Sequence, residues 1–542
     1  MIDTTTNALV SSISAVQNTA GLTGGGIYVR KQSAYIGFAG AHFEGNMCTL
    51  GSGGALYVDD SCSYISIGGL QPLLQTVPIA SSGSTPIIKY DKTITGGVGF
   101  TALGFFVTFP TQASNIITYC SDHAFVGTYK YGRKPTGDGS TCAQEFLDPT
   151  TPGVQGEPPY RYTSNFMNVN MTHFPNLNNP YITCAVFPYA RYDGSGAGYG
   201  PAGATFEGNT AAMAGGALHV QSSVTHLFVM PGTTFRGNIA LSSGGAVYVN
   251  DTNVGLYFYS TTFTDNHAGL GGAVHLYNQN SAVQFTDCSF TLNTAQNGGA
   301  VYLGTGNGNG MSLTVTTNIV RFDNTTMMYN TADFYGGAVY ADFLNSFTFN
   351  RSRLMYNRAM QHGGAVFMSQ SNRPVALINT TVERNQAVGG SGGAVYVDTS
   401  LNGVELQSTS LSFNTAGAMG GAMAFMAYNT LDITAGSCLF TSNRAVGGFG
   451  GAVYVSASAV VVGPSTVSFT NNSAESGSAL YLSSSSTASF TLSNSSQKVR
   501  NSPTVATKNI MLFNPPMKIG PSFSSFLVVS NLVHVYHHFH TR

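Results

Sequence analysis

The sequence predicts an all-β chain, a right-handed parallel β-helix (solenoid) of about 12 coils of 27–29 residues with one large insertion. Three observations carry this prediction. First, asparagine recurs as Asn18, Asn46, Asn209, Asn238, Asn266, Asn293, Asn330, Asn357, Asn385, Asn414, Asn443 and Asn472. Apart from the jump from 46 to 209, the steps are 28, 29, 28, 27, 37, 27, 28, 29, 29 and 29. Second, an apolar residue precedes each Asn by three positions, from Phe43, Phe206 and Phe235 to Phe440 and Phe469, and only Ala15 is small. Third, Ala follows two residues after eleven of the twelve Asn, and then a Gly-Gly pair and a strand such as Ala246-Val247-Tyr248-Val249.

A self-similar period of this length means stacked units, since no single copy can bury its own apolar face. It holds three short strands and three turns, rich in Val, Tyr, Phe and Thr and bounded by Gly and Asn. A leucine-rich repeat needs Leu at fixed spacing, and a propeller blade needs about 40 residues or more. One coil per repeat remains, each strand pairing with its equivalents about 4.8 Å above and below. The 37-residue step is read as a normal coil with an insertion near 304–311.

Each column has a physical reason. Side chains alternate faces along a strand, so the Val columns, as at Val247 and Val249, point inward and the Phe column packs against them. Asn tolerates the left-handed conformation of a tight turn. Stacked amides can also bond along the axis, which makes Asn238, Asn266, Asn293, Asn330, Asn357, Asn385, Asn414 and Asn443 a structural ladder. The Gly pair supplies positive φ at a sharp turn. The column facing away from the Val columns is aromatic in nearly every coil, with Tyr248, His275, Tyr302, Tyr340, Tyr396 and Tyr454 as a candidate binding stripe. Two readings of it stand: a surface that stacks on sugar rings or a partner protein, or a ladder that stiffens its own sheet.

Phe235-Arg236-Gly237-Asn238 with Gly244-Gly245-Ala246-Val247, and Phe440-Thr441-Ser442-Asn443 with Gly450-Gly451-Ala452-Val453, resemble the repeats of the polymorphic outer membrane proteins, the chlamydial autotransporter adhesins. The resemblance covers residues 15–60 and 204–485. It implies a secreted or cell-surface β-helix passenger, extracellular or at the outer membrane, that binds a cell-surface protein or glycan without a cofactor. Members also carry a C-terminal translocator barrel, for which residues 486–542 are too few. The N-terminus shows neither a basic n-region nor an apolar h-region, so a signal peptide is not expected from it.

The organisation expected is first coils at 1–60, an insertion at 61–203, the main repeat region at 204–485 and a non-repeat tail at 486–542. Only 8% of residues are charged and the formal net charge is −1, which lacks the basic face of a nucleic-acid binder. No apolar run is long enough for a transmembrane helix. Cys62, Cys120, Cys142 and Cys184 can close two disulfides in three connectivities or stay reduced thiols. Cys48 is read as a packed small residue, and Cys288 and Cys438 as core residues in one column, too far apart to bond. His534, His537, His538 and His540 near the C-terminus lack Cys or carboxylate partners, and no metal is assigned to them. Seven Asn-x-Ser/Thr sequons, at Asn170, Asn250, Asn324, Asn350, Asn379, Asn471 and Asn494, acquire meaning only in a protein secreted by a eukaryote.

Many β-helices are polysaccharide lyases or glycosidases, and glycoside hydrolysis needs two convergent carboxylates. The candidates are Asp59, Asp60, Asp265, Asp287, Asp323, Asp333, Asp342, Glu383 and Asp398. No two adjacent coils present an acidic pair in one column, and Asp59 and Asp398 read as solvated turn residues. The expectation is therefore a non-catalytic scaffold or adhesin, with a carbohydrate-active enzyme as the alternative.

Overall fold

The computed structural model describes residues 1–68 and 203–490, apart from gaps at 4–5, 12, 306–317, 370–374, 399–402, 463–465 and 484–485. It adds seven strands whose side chains are not described: Leu73–Pro78, Ile87–Asp91, Phe100–Thr108, Phe166–Asn170, Tyr181–Ala190, Lys498–Arg500 and Ile510–Leu512.

Four parallel sheets run the length of a β-solenoid, three of thirteen strands and one of eleven. One coil shows the plan. Thr225–Val229 lies in a broad sheet, Thr234–Arg236 in a phenylalanine sheet, Ile239–Ala240 in a narrow alanine sheet and Val247–Asp251 in a valine–tyrosine sheet. The sequence pattern gives three strands per coil; the fourth is the two-residue segment that carries the Ala column. Register is maintained from coil to coil, with Phe235 beside Phe263 and Val247 beside Val274. Among the described residues no helix is long and apolar enough to cross a membrane.

The core is a set of vertical rows. Phe206, Phe235, Phe263 and Phe290 are fully buried and stack with ring centroids 4.6–5.0 Å apart. Val247, Val249, Val395 and Val397 are buried as expected. The asparagine ladder runs from Asn18 to Asn472. At each step the backbone N–H and Nδ2 of one Asn both donate to Oδ1 of the next, as from Asn266 to Asn293 at 3.0 and 2.9 Å. Nδ2 also donates back to a carbonyl one coil below, as from Asn266 to Phe235 O at 3.0 Å. These amides are thus satisfied in an interior where an unmade bond is costly.

The left-handed residue of this turn is not the asparagine. It is the residue before it, with φ between +54° and +62° from Gln17 through Asn471. No ladder asparagine has positive φ, because its side chain must point inward to reach its neighbour. Two further buried rows escape the sequence pattern. Asn253, Asn280, Asn318 and Asn345 form a second, shorter ladder with side-chain bonds of 2.9, 3.1 and 2.7 Å. Thr325, Ser352, Thr380 and Thr409 turn their hydroxyls onto carbonyls one coil below, and Cys288 and Cys438 flank them in the same row as buried thiols.

The two glycines of each pair do different work. Gly244 takes φ +62°, whereas a Cβ on Gly245 would lie 2.1 Å from Gly272 O of the next coil. The first needs conformational freedom, and the second needs to be absent as a side chain.

The solenoid proceeds through Gly68 and resumes at Gly203. Across that gap Asn46 donates to Asn209 Oδ1 at 2.9 Å, and Phe43 stacks on Phe206 at 4.7 Å. Leu73–Pro78, Tyr181–Ala190 and Phe100–Thr108 form an antiparallel sheet, and Ile87–Asp91 pairs with Phe166–Asn170. Cys62, grouped in the sequence with the insertion cysteines, sits in the solenoid core as a free thiol, and its Sγ donates to Arg30 O at 3.2 Å. Burial pushes that thiol up to about 11. Cys120, Cys142 and the side chain of Cys184 lie outside the described residues, as do the four C-terminal histidines. Beyond Ser486 the strands Thr487–Phe490, Lys498–Arg500 and Ile510–Leu512 still pair in register with the coil below.

Candidate binding surface

The aromatic column faces away from the Val rows, yet it is largely covered. Tyr396 and Tyr454 are 7% and 8% exposed and His275 4%, while Tyr248, Tyr302 and Tyr340 are half-buried. The rings stack on one another, Tyr302 on Tyr340 at 4.8 Å and Phe367 on Tyr396 at 5.3 Å. Residues just before the Gly-Gly pair of the coil below close over them: Tyr335 lies 4.7 Å from Phe367, and His362 lies 4.4 Å from Tyr396. The geometry is that of a self-stacked ladder with narrow exposed edges.

Two histidines interrupt this ladder. His219 stacks between Tyr57 and Tyr248 at 4.5 and 5.0 Å, and His275 has no hydrogen-bond partner on either ring nitrogen. Burial lowers His219 from 6.5 to about 4 and His275 to about 3. The unfolded chain protonates them near 6.5 while the folded chain does not, so their contribution is complete above pH 6.5 and is lost as pH falls toward the folded values. The expected loss between pH 7 and 4.5 is about 2–3 kcal/mol per histidine. Urea midpoints at the two pH values, compared with those of His219→Tyr/His275→Tyr, will read it; an unchanged pH dependence in the double variant would refute the assignment.

The carboxylates do not converge. Asp323 is fully buried and held by Arg321, Gln284 and Asn350. Asp59 is 7% exposed and accepts from the Tyr28 hydroxyl at 2.5 Å, so it is a buried partner rather than the solvated turn residue expected. Asp287 accepts from Asn324, and Glu383 pairs with Arg384. Asp342 is bonded to Thr305 and raised by burial; Asp398 shares its column two coils away, with Ser369 between them. Among the described residues no three His, Cys, Asp or Glu side chains gather as a metal site.

A different column is exposed. The left-handed residues that precede the ladder asparagines are Gln17, Gly45, Gly208, Gly237 and Asp265 in the early coils and Ser442 and Asn471 in the last. In five consecutive coils between them they are Leu292, Tyr329, Tyr356, Arg384 and Phe413. Leu292, Tyr329 and Phe413 are 51%, 47% and 47% exposed. Tyr329 and Tyr356 stack at 4.9 Å, and the Arg384 guanidinium lies 5.5 Å from the Tyr356 ring and 5.1 Å from that of Phe413. Arg384 also donates to the Tyr356 hydroxyl at 3.0 Å. A bulky side chain at positive φ is an outlier that functional surfaces often keep. Room is not the constraint, since a Cβ at Gly208 or Gly237 would meet nothing within 4 Å. The Asn repeat does not mark this stripe; its signal in the sequence lies one residue upstream, where Gly and Asp give way to Leu, Tyr, Arg and Phe.

The strain can be measured. The left-handed conformation costs an L-residue about 1–2 kcal/mol, and glycine's flexibility offsets about 0.5–1 of that. Leu292→Gly is therefore expected to raise stability by up to about 1 kcal/mol in urea denaturation; a clear loss would mean that the leucine earns its place by packing.

Residues 203–221 and 232–250 match the Chlamydia polymorphic membrane protein repeat. Comparison with curated proteins and with solved structures gave no match.

Proposed function

Starting from a solenoid of which residues 203–221 and 232–250 match the chlamydial polymorphic membrane protein repeat, we propose that this chain is a cell-surface adhesin or adhesive scaffold that works by binding rather than by catalysis. The supporting observation is the exposed stripe Leu292–Tyr329–Tyr356–Arg384–Phe413, set at backbone positions where small residues would be less strained. Aromatic and arginine side chains anchor binding surfaces because they bring large contact area with few rotamers to freeze. A rigid stack also holds them at fixed spacing, so little order is lost on binding.

Beads coated with the full chain are expected to adhere to cultured epithelial cells. Replacing Leu292, Tyr329 and Phe413 together by Ser should lower adhesion at least tenfold while circular dichroism stays that of the parent. Equal adhesion of the variant would remove the stripe from the proposal, and absence of adhesion by the parent would remove the adhesin reading. A contribution from Tyr248, Tyr302 and Tyr340 is tested separately by their replacement with Ser.

The carbohydrate-active alternative would rest on Asp342 and Asp398, which share a column. Two coil steps place them roughly 10 Å apart, at the upper limit for an inverting pair. Release of reducing ends from a polysaccharide, abolished by Asp342→Asn, would establish it.

A further inference from the structure

We infer that the face centred on Tyr356 takes a linear anionic polysaccharide, one bearing sulfate or carboxylate groups along its length. The inference rests on the adhesin reading and names its ligand class.

Along one coil the side chains of Arg353, Met355, Tyr356 and Arg358 point outward, while Leu354 and Asn357 are buried. The next coil adds Arg384. Neither Arg353 nor Arg358 has an ion-pair partner among the described residues, and Arg384 shares its charge with Glu383. The equivalent positions of the flanking coils are Thr326, Thr331, Thr381 and Gln386, all uncharged. In a chain with 8% charged residues and a net charge of −1, three guanidiniums on two adjacent coils concentrate positive potential at one place.

The residue type matters as much as the charge. A guanidinium offers paired donors that match the oxygens of sulfate and carboxylate, and its plane stacks on rings. Arg384 is already fixed in this manner between Tyr356 and Phe413. The surrounding Thr and Gln side chains supply the hydroxyl and amide partners that sugar hydroxyls need.

The shape selects a polymer. From Leu292 to Phe413 the stripe rises four coil steps, about 19 Å. It is narrow: Thr294, Thr331, Arg358 and Gln386 line one side, and Met328 and Met355 flank the two tyrosines on the other. A protein partner usually needs about 800 Å² per side with an apolar centre, which a single row does not supply. An extended chain of sugar rings needs only the row.

The test uses the full chain and four immobilised polymers: heparin, hyaluronate, neutral dextran and polyglutamate. Binding to heparin or hyaluronate is expected, with none to dextran and at least tenfold less to polyglutamate. Arg353→Ser/Arg358→Ser should weaken polysaccharide binding at least tenfold, and so should Tyr329→Ser/Tyr356→Ser. Both arginines are exposed, so that pair tests the surface without endangering the fold. Absence of binding to both anionic polysaccharides would overturn the inference, as would equal retention on polyglutamate, which would point to an acidic protein partner. Adhesion to cells without polysaccharide binding would sink the ligand class and leave the adhesin reading standing.

Discussion

Replacing Asn293 by Leu is expected to destabilise the solenoid by about 4–6 kcal/mol, although the two side chains are close in size. Asn293 Oδ1 accepts from the Asn266 backbone N–H at 3.0 Å and from its Nδ2 at 2.9 Å. Its own Nδ2 donates to Phe263 O and to Asn330 Oδ1, both at 3.0 Å. Leucine strands the Asn266 N–H, one Asn266 amide proton and the Phe263 carbonyl inside the core, at about 1–3 kcal/mol each. Urea denaturation should show the loss, and amide exchange should place it in the coils that contain residues 263–330, because a stack of repeats transmits disturbance mainly to its neighbours. A change below about 1 kcal/mol would mean that the ladder contributes little and that the apolar rows alone hold the register.

Gly299→Val is expected to be worse still, with a cost above about 5 kcal/mol or no folded product at all. A Cβ there would lie 2.2 Å from Gly337 O and 2.6 Å from Thr331 O, and both are backbone atoms of the next coil. Backbone cannot rotate out of the way, so the coils would have to part. Gly237→Ala serves as the comparison. Its Cβ meets nothing within 4 Å, and the only charge against it is φ +60°, about 1–2 kcal/mol. Two glycines from different columns of the pattern, two coils apart, should thus differ severalfold in tolerance, and soluble expression with melting temperatures will rank them. Similar behaviour of the two variants would contradict the close approach of the coils.

The fold was legible because its cause is periodic. Phe206, Asn238, Val247 and Gly245 lie in rows that the spacing alone defines, and stacking requires such rows to be uniform. What escaped was the part where uniformity stops. Asn253, Asn280, Asn318 and Asn345 form a ladder over only four coils, and Val224 and Cys62 fill the same row earlier, so its period is too short to stand out. The tyrosine column was visible in sequence, but its covering was not, since the turns that bring Tyr335 and His362 over it vary in length and composition. The exposed stripe was hidden for a different reason. Its residues differ in chemistry from coil to coil and share only a backbone angle, which a sequence does not display. Asp59 departs from the solvated turn its position suggests because its partner Tyr28 lies one coil away, and contact across coils depends on side-chain direction as well as on column.

At the insertion, a Cβ on Gly68 would lie 3.1 Å from both the Gly203 carbonyl carbon and the Ala204 nitrogen. The chain therefore departs from the shaft and re-enters it at a single doorway, and the shaft is laced shut across that storey. The rows of the shaft on either side of that doorway are therefore aligned by contacts between the coils themselves and not by the length of chain between the two glycines.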